Sequence, residues 1–188
     1  MSDLDLSRRD GLPDALRVLL RDYPRDLWTA HRNFDGLTRF WLERHLMFRQ
    51  VLDQWQGETR GFLDSKADPR AHARQTARLG GFLIEGLHGH HQIEDAHYFP
   101  TLSGAEPRLS RGFDLLDADH QALDRELAAL TDAANAHLRA LAEPESTSRD
   151  TAAAVLARLD GFARFLDRHL TDEEELVVPV ILHHAPRM

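Results

Sequence analysis

Two segments of this chain repeat each other's chemistry. Residues 90–100 read H-H-Q-I-E-D-A-H-Y-F-P, and residues 169–179 read H-L-T-D-E-E-E-L-V-V-P. In both, a Glu follows a His by four places and a Pro follows that Glu by six. Positions i and i+4 of a helix share one face, about a turn apart. His90 with Glu94, and His169 with Glu173, therefore each present an imidazole and a carboxylate on one side. An ionised carboxylate turned into a helical core is costly unless a positive partner compensates it. A fold that buries both pairs must supply that charge.

The surrounding pattern is helical throughout. Apolar residues such as Trp41, Leu42, Phe48, Leu52, Trp55 and Phe62 recur at three- and four-residue steps. Long helices are expected over residues 26–63, 70–98, 110–142 and 148–178, with the second stopping before Pro100 and the fourth at Pro179. Turn signals lie at Ser65–Pro69, in a polar link over 101–110, and at Glu143-Pro144-Glu145. Pro13 suits the first position of a short helix carrying Leu16, Leu19 and Leu20. No segment alternates like a strand. The expected fold is all-α, an up-down four-helix bundle with a short extra N-terminal helix. Residues 1–24 are read as an N-terminal extension and 25–184 as the bundle. At 188 residues the chain suits one domain with a full core.

A repeat of helix pairs predicts matching positions on the first and third helices. His90 and His169 stand 79 apart; His45 and His120 stand 75 apart. The midpoint of His45 and His90 falls at 67–68 and that of His120 and His169 at 144–145, both inside turn signals. Antiparallel hairpins then bring all four histidines to one level. The expected metal ligands are His45, His90, Glu94, His120, His169 and Glu173. Four His and two Glu exceed a tetrahedral zinc site. They suit two metals bridged by both carboxylates, with a position left open for a small ligand. Imidazole accepts Fe, Zn, Cu or Ni.

The remaining histidines get plainer expectations. His31 competes weakly with His45 but has no repeat partner. His91 and Asp95 are expected at the surface. His97 falls on the face of His90 but is read as supporting or exposed. His72, His137, His183 and His184 are expected to be exposed. Asp119, Glu174 and Glu175 are expected outside the direct ligand set. Trp28, Trp41, Trp55, Phe82 and Phe99 are read as packing residues.

Composition excludes several alternatives. Cysteine is absent, so disulfides, thiolate metal sites and a Cys nucleophile are out. The net charge of -8, with Lys66 the only lysine, argues against nucleic-acid binding. No secretory leader and no long apolar span are apparent, so a cytoplasmic protein away from membranes is expected.

From about residue 36 to 182 the sequence resembles the haemerythrin-like, or HHE cation-binding, family. The resemblance rests on His45, the H-H-Q-I-E run at His90–Glu94, Asp119-His120, and the H-L-T-D-E-E-E run at His169–Glu175. It implies a four-helix bundle holding two Fe ions in an oxo- or hydroxo-bridged non-haem centre; zinc or a mixed-metal pair is the alternative. It implies a protein that binds or reacts with O2 or oxidants in sensing, storage or detoxification. The small ligand would be a diatomic molecule or peroxide, and a sensor would need a protein partner or a second copy. Oxygen carriers of the family have two His four apart on the third helix and an Asp bridge on the fourth. Here Asp124 stands four after His120, and Glu173 replaces the Asp. A di-iron enzyme that decomposes peroxide or reduces nitric oxide, and a metal-free structural or partner-binding bundle, are the competing readings.

Overall fold

The computed structural model describes residues 4–143 and 148–186. Pro144 and Glu145 of the expected break lie outside the described residues. Among the described residues there is no strand, and the chain is an all-α helical bundle. A short helix α1 (Val18–Asp22) follows a 3-10 turn at Asp14–Leu16. Another 3-10 stretch, Arg25–Ala30, leads to the long helices α2 (Gly36–Leu63) and α3 (Pro69–Ile93). A π-helical turn, Glu94–Tyr98, joins α3 to α4 (Phe99–Ala105). The long helices α5 (Ser110–Ala142) and α6 (Ser148–His184) complete the chain.

Local chemistry explains the starts. The Asp35 carboxylate accepts the Thr38 N–H at 2.7 Å and caps α2; that bond is the main cause of its lowered pKa. Asp68 accepts the Ala71 N–H at 2.8 Å, just before Pro69 opens α3. Between them Ser65 takes a φ of 60°, and the Lys66 N–H returns to the Gly61 carbonyl at 3.0 Å.

Two expected stops are corrected. Pro100 follows directly on the π turn, at the start of α4, and the helical path runs on through it to Ala105. Pro179 lies inside α6, which runs on to His184. An interior proline costs about 3 kcal/mol. Val177, Val178, Val180, Ile181 and Leu182 are all buried around it, and their burial offsets the loss. The first long helix also starts later than expected, at Gly36 rather than near Asp26.

The chain divides into two compact units. The first comprises Met1–Leu46, His90–Ala122 and Asp167–Met188. Its core includes Leu12, Leu19, Trp28, Trp41, Phe99, Phe113 and Leu116, packed with Leu176–Leu182 of α6. The N-terminal segment is part of this unit: Leu6 and Arg9 are buried, and Arg9 bonds to Asp119 of α5 and Asp172 of α6.

The second unit comprises Met47–Gly89 and Leu123–Leu166. Its core is Phe48, Trp55, Phe162 and a layer of leucines. Gly80 lets Trp55 approach α3: a Cβ there would meet the indole at 2.8 Å. His72 and His137, expected at the surface, are buried here, while Phe82, expected to pack, is 47% exposed. No helix is long and apolar enough to cross a membrane among the described residues.

Candidate metal centre

The first unit brings all six expected residues together. One ligand atom each from His45, His90, Glu94 and Glu173 lies within 4.8 Å of the others. A second group of the same tightness joins His120 and His169, and its third member is His91. The carboxylates link the groups. Glu94 Oε1 lies 3.1 Å from His90 Nε2, and its Oε2 lies 3.7 Å from His120 Nε2. Glu173 Oε2 lies 3.6 Å from His45 Nε2 and 3.3 Å from His169 Nε2. His45 Nε2 and His90 Nε2 are 2.9 Å apart.

The backs of three rings are held by carboxylates. His45 Nδ1 meets Glu174 at 3.0 Å, His120 Nδ1 meets Asp95 at 2.8 Å, and His169 Nδ1 meets Asp119 at 3.4 Å. A carboxylate only accepts, so each Nδ1 carries the proton and each Nε2 turns a lone pair inward. The outer layer continues into the N-terminal segment. Arg9 holds both Asp119 and Asp172, and Arg25 donates to Glu174 at 2.7 Å. Burial lowers the Arg9 pKa, but the bonds to Asp119 and Asp172 outweigh it and hold the guanidinium charged.

The π turn positions the central carboxylate. On a regular α-helix, residues five apart point about 140° apart. Here the Phe99 N–H bonds to the Glu94 carbonyl, five residues back. The wider turn buries both Glu94 and Phe99, and His97 is exposed. Such turns are frequent at functional sites. Trp41 Nε1 donates to Glu94 Oε1 at 2.6 Å and fixes it further.

The electrostatics show what the cluster lacks. Burial pushes the Glu173 pKa well up, and the neighbouring Glu94 charge adds to this; burial raises Glu94 as well. Burial, then His45, drives His90 down to about 2, so it stays neutral. Glu94 Oε2, His120 Nε2 and both Glu173 oxygens are buried and make no hydrogen bond. Inward lone pairs and two uncompensated carboxylates fit a cation.

Other expectations fall away from the centre. His31 sits before α2, where its Nδ1 accepts the Asn33 N–H at 3.2 Å. Asp124 is exposed and pairs with His88 at 3.3 Å. His183 and His184 are exposed near Glu106. His91 is the correction, at 4% exposed; Asp95 is exposed as expected, yet its carboxylate holds His120. The repeat gave no sign of His91, because its counterpart at the 79-residue offset is Leu170.

A small apolar pocket adjoins the centre, with Leu37, Trp41, Phe99, Leu102 and Ile181 on its walls and Glu94 at one side. The room inside is about 10 Å³, on the scale of one water-sized guest.

No curated protein and no solved structure matches the sequence. Residues 36–181 match the Hemerythrin HHE cation binding domain family. That span takes in every residue of the two ligand groups, and the chain belongs to the haemerythrin HHE cation-binding family.

Proposed function

We propose that this chain is a non-haem di-iron protein that binds or reacts with O2 or a related oxidant. The supporting observation is the pair of adjoining ligand groups that share two buried carboxylates. His45 and His90 would hold one ion and His120 and His169 the other, with Glu94 and Glu173 reaching both. Mixed imidazole and carboxylate donors without thiolate suit iron. Bound iron would supply one-electron chemistry and affinity for small oxidants.

The protein's own residues do the rest. Glu174, Asp95 and Asp119 orient three imidazoles. Trp41 fixes Glu94, and the small apolar pocket beside it suits a small neutral guest. That pocket supports a gas or peroxide as the ligand over a larger metabolite.

Metal analysis with optical spectra tests this reading. The expected result is about two irons per chain, with a charge-transfer band after oxidation or azide addition. Fewer than about half an iron per chain after loading in iron-rich medium overturns it. Catalytic loss of peroxide or nitric oxide, abolished by His90→Ala, would mark an enzyme; a single stoichiometric reaction would mark a sensor or store.

A further inference from the structure

We infer that His91 is a seventh ligand, the third nitrogen on the second metal beside His120 and His169. The inference rests on the two-metal reading above and goes beyond the six residues that reading names. His91 is 4% exposed, and neither ring nitrogen has a hydrogen-bond partner. A buried imidazole with no partner for either nitrogen is costly, since each nitrogen left without a bond carries its full desolvation penalty. Its ring lies parallel to that of His120, 4.0 Å between centroids and 10° between planes, and edge-on to His169 at 5.6 Å. One ligand atom of His91 falls within 4.8 Å of ligand atoms from both.

The placement follows from helix geometry. His91 is one residue beyond His90, about 100° further round α3. Adjacent residues on one helix thus face the two different ligand groups, with Glu94 one turn on reaching both. The α5 helix offers no equivalent: four places after His120 stands Asp124, exposed and paired with His88. α3 therefore supplies the nitrogen that α5 does not. The nitrogens divide two and three, with the pair His45–His90 on the side of Trp41 and the pocket.

The competing explanation is packing, with His91 acting as an aromatic spacer against His120. His91→Phe separates the two, because it keeps a stacked ring and removes both nitrogens. The full-length protein, stripped by chelation, is titrated anaerobically with Fe(II) and followed by equilibrium dialysis. Co(II), whose visible bands report its donors, serves as a second probe. The expected result is two equivalents in the parent, and in His91→Phe one equivalent with the second weakened at least about tenfold. The metal-free variant should melt no lower than the metal-free parent. If His91→Phe fails to fold, His91→Gly with added imidazole replaces it, and the second equivalent should return with imidazole. Two equivalents at parental affinity in His91→Phe overturn the role of His91 and leave the di-iron reading standing. No bound metal in the parent overturns both.

Discussion

Each unit buries a pair of histidines with Nε2 atoms 2.9 Å apart, His45 with His90 in the first and His72 with His137 in the second. The first pair is surrounded by acceptors: Glu94, Glu173 and Glu174 all lie within 3.6 Å of a ring nitrogen. The second pair has no carboxylate partner among its hydrogen bonds. Thr151 donates to the Ser148 carbonyl, so its oxygen accepts the His137 Nδ1 proton at 2.9 Å. His137 Nε2 must then accept from His72 Nε2. Phe62 stacks on His72 at 4.4 Å, 10° from parallel. One pair sits in a field that asks for a cation; the other is a neutral hydrogen-bonded couple. A buried His pair is therefore not a metal site by itself. Converging carboxylates, and the carboxylates behind the rings, make the difference.

Five experiments press on that contrast. Glu173→Ala should remove the largest share of metal, taking the loaded protein from about two ions to one or none, because Glu173 serves both groups. His72→Phe should leave metal content unchanged; loss of metal there would break the comparison. Arg9→Ala comes next. It leaves Asp119 and Asp172 short of a buried partner, with an expected cost of about 3–5 kcal/mol in a urea melt. It should also weaken the metal about 10- to 100-fold in chelator competition, as expected when a supporting partner is lost.

The fourth experiment concerns pH. Burial holds the His72 pKa below its ordinary value, and burial with the His72 charge holds His137 down to about 4. The unfolded chain takes up these protons near pH 6.5, before the folded chain does, so the pair's contribution is full above 6.5 and falls as pH drops towards 4. The expected loss is about 2–3 kcal/mol. The His72→Phe, His137→Leu double variant should show a flatter slope than the parent across that window; identical slopes would sink the neutral-couple reading. The smallest effect is expected from Gly80→Ala. Its Cβ would press on Trp55 and cost about 1–2 kcal/mol, with metal content untouched.

Much of this was legible in the sequence. The four long helical segments followed from apolar spacing, and the repeat with the hairpin midpoints pointed to the residues that converge. The misreadings have physical causes. Pro179 looked like a helix end, but local propensity yields to the burial of Val177, Val180 and Ile181 around it. The π turn at Glu94–Tyr98, which leaves His97 exposed as read, is something periodicity cannot reveal. His72 and His137 looked exposed because each gains its partner only from another helix. His91 was hidden because the repeat is imperfect and α3 is buried over a wider arc at this level than one stripe suggests.

The N-terminal segment carries a consequence of its own. Arg9 and Arg25 lie outside the family-matched span, yet each grips a carboxylate that backs a histidine of the centre. Docking of that segment and occupancy of the centre are then thermodynamically linked, and each strengthens the other by the same free energy. A protease acting on residues 4–30 should cut the metal-free chain faster than the loaded one. The segment would make the state of a buried centre legible from outside, at a surface that a protease can reach.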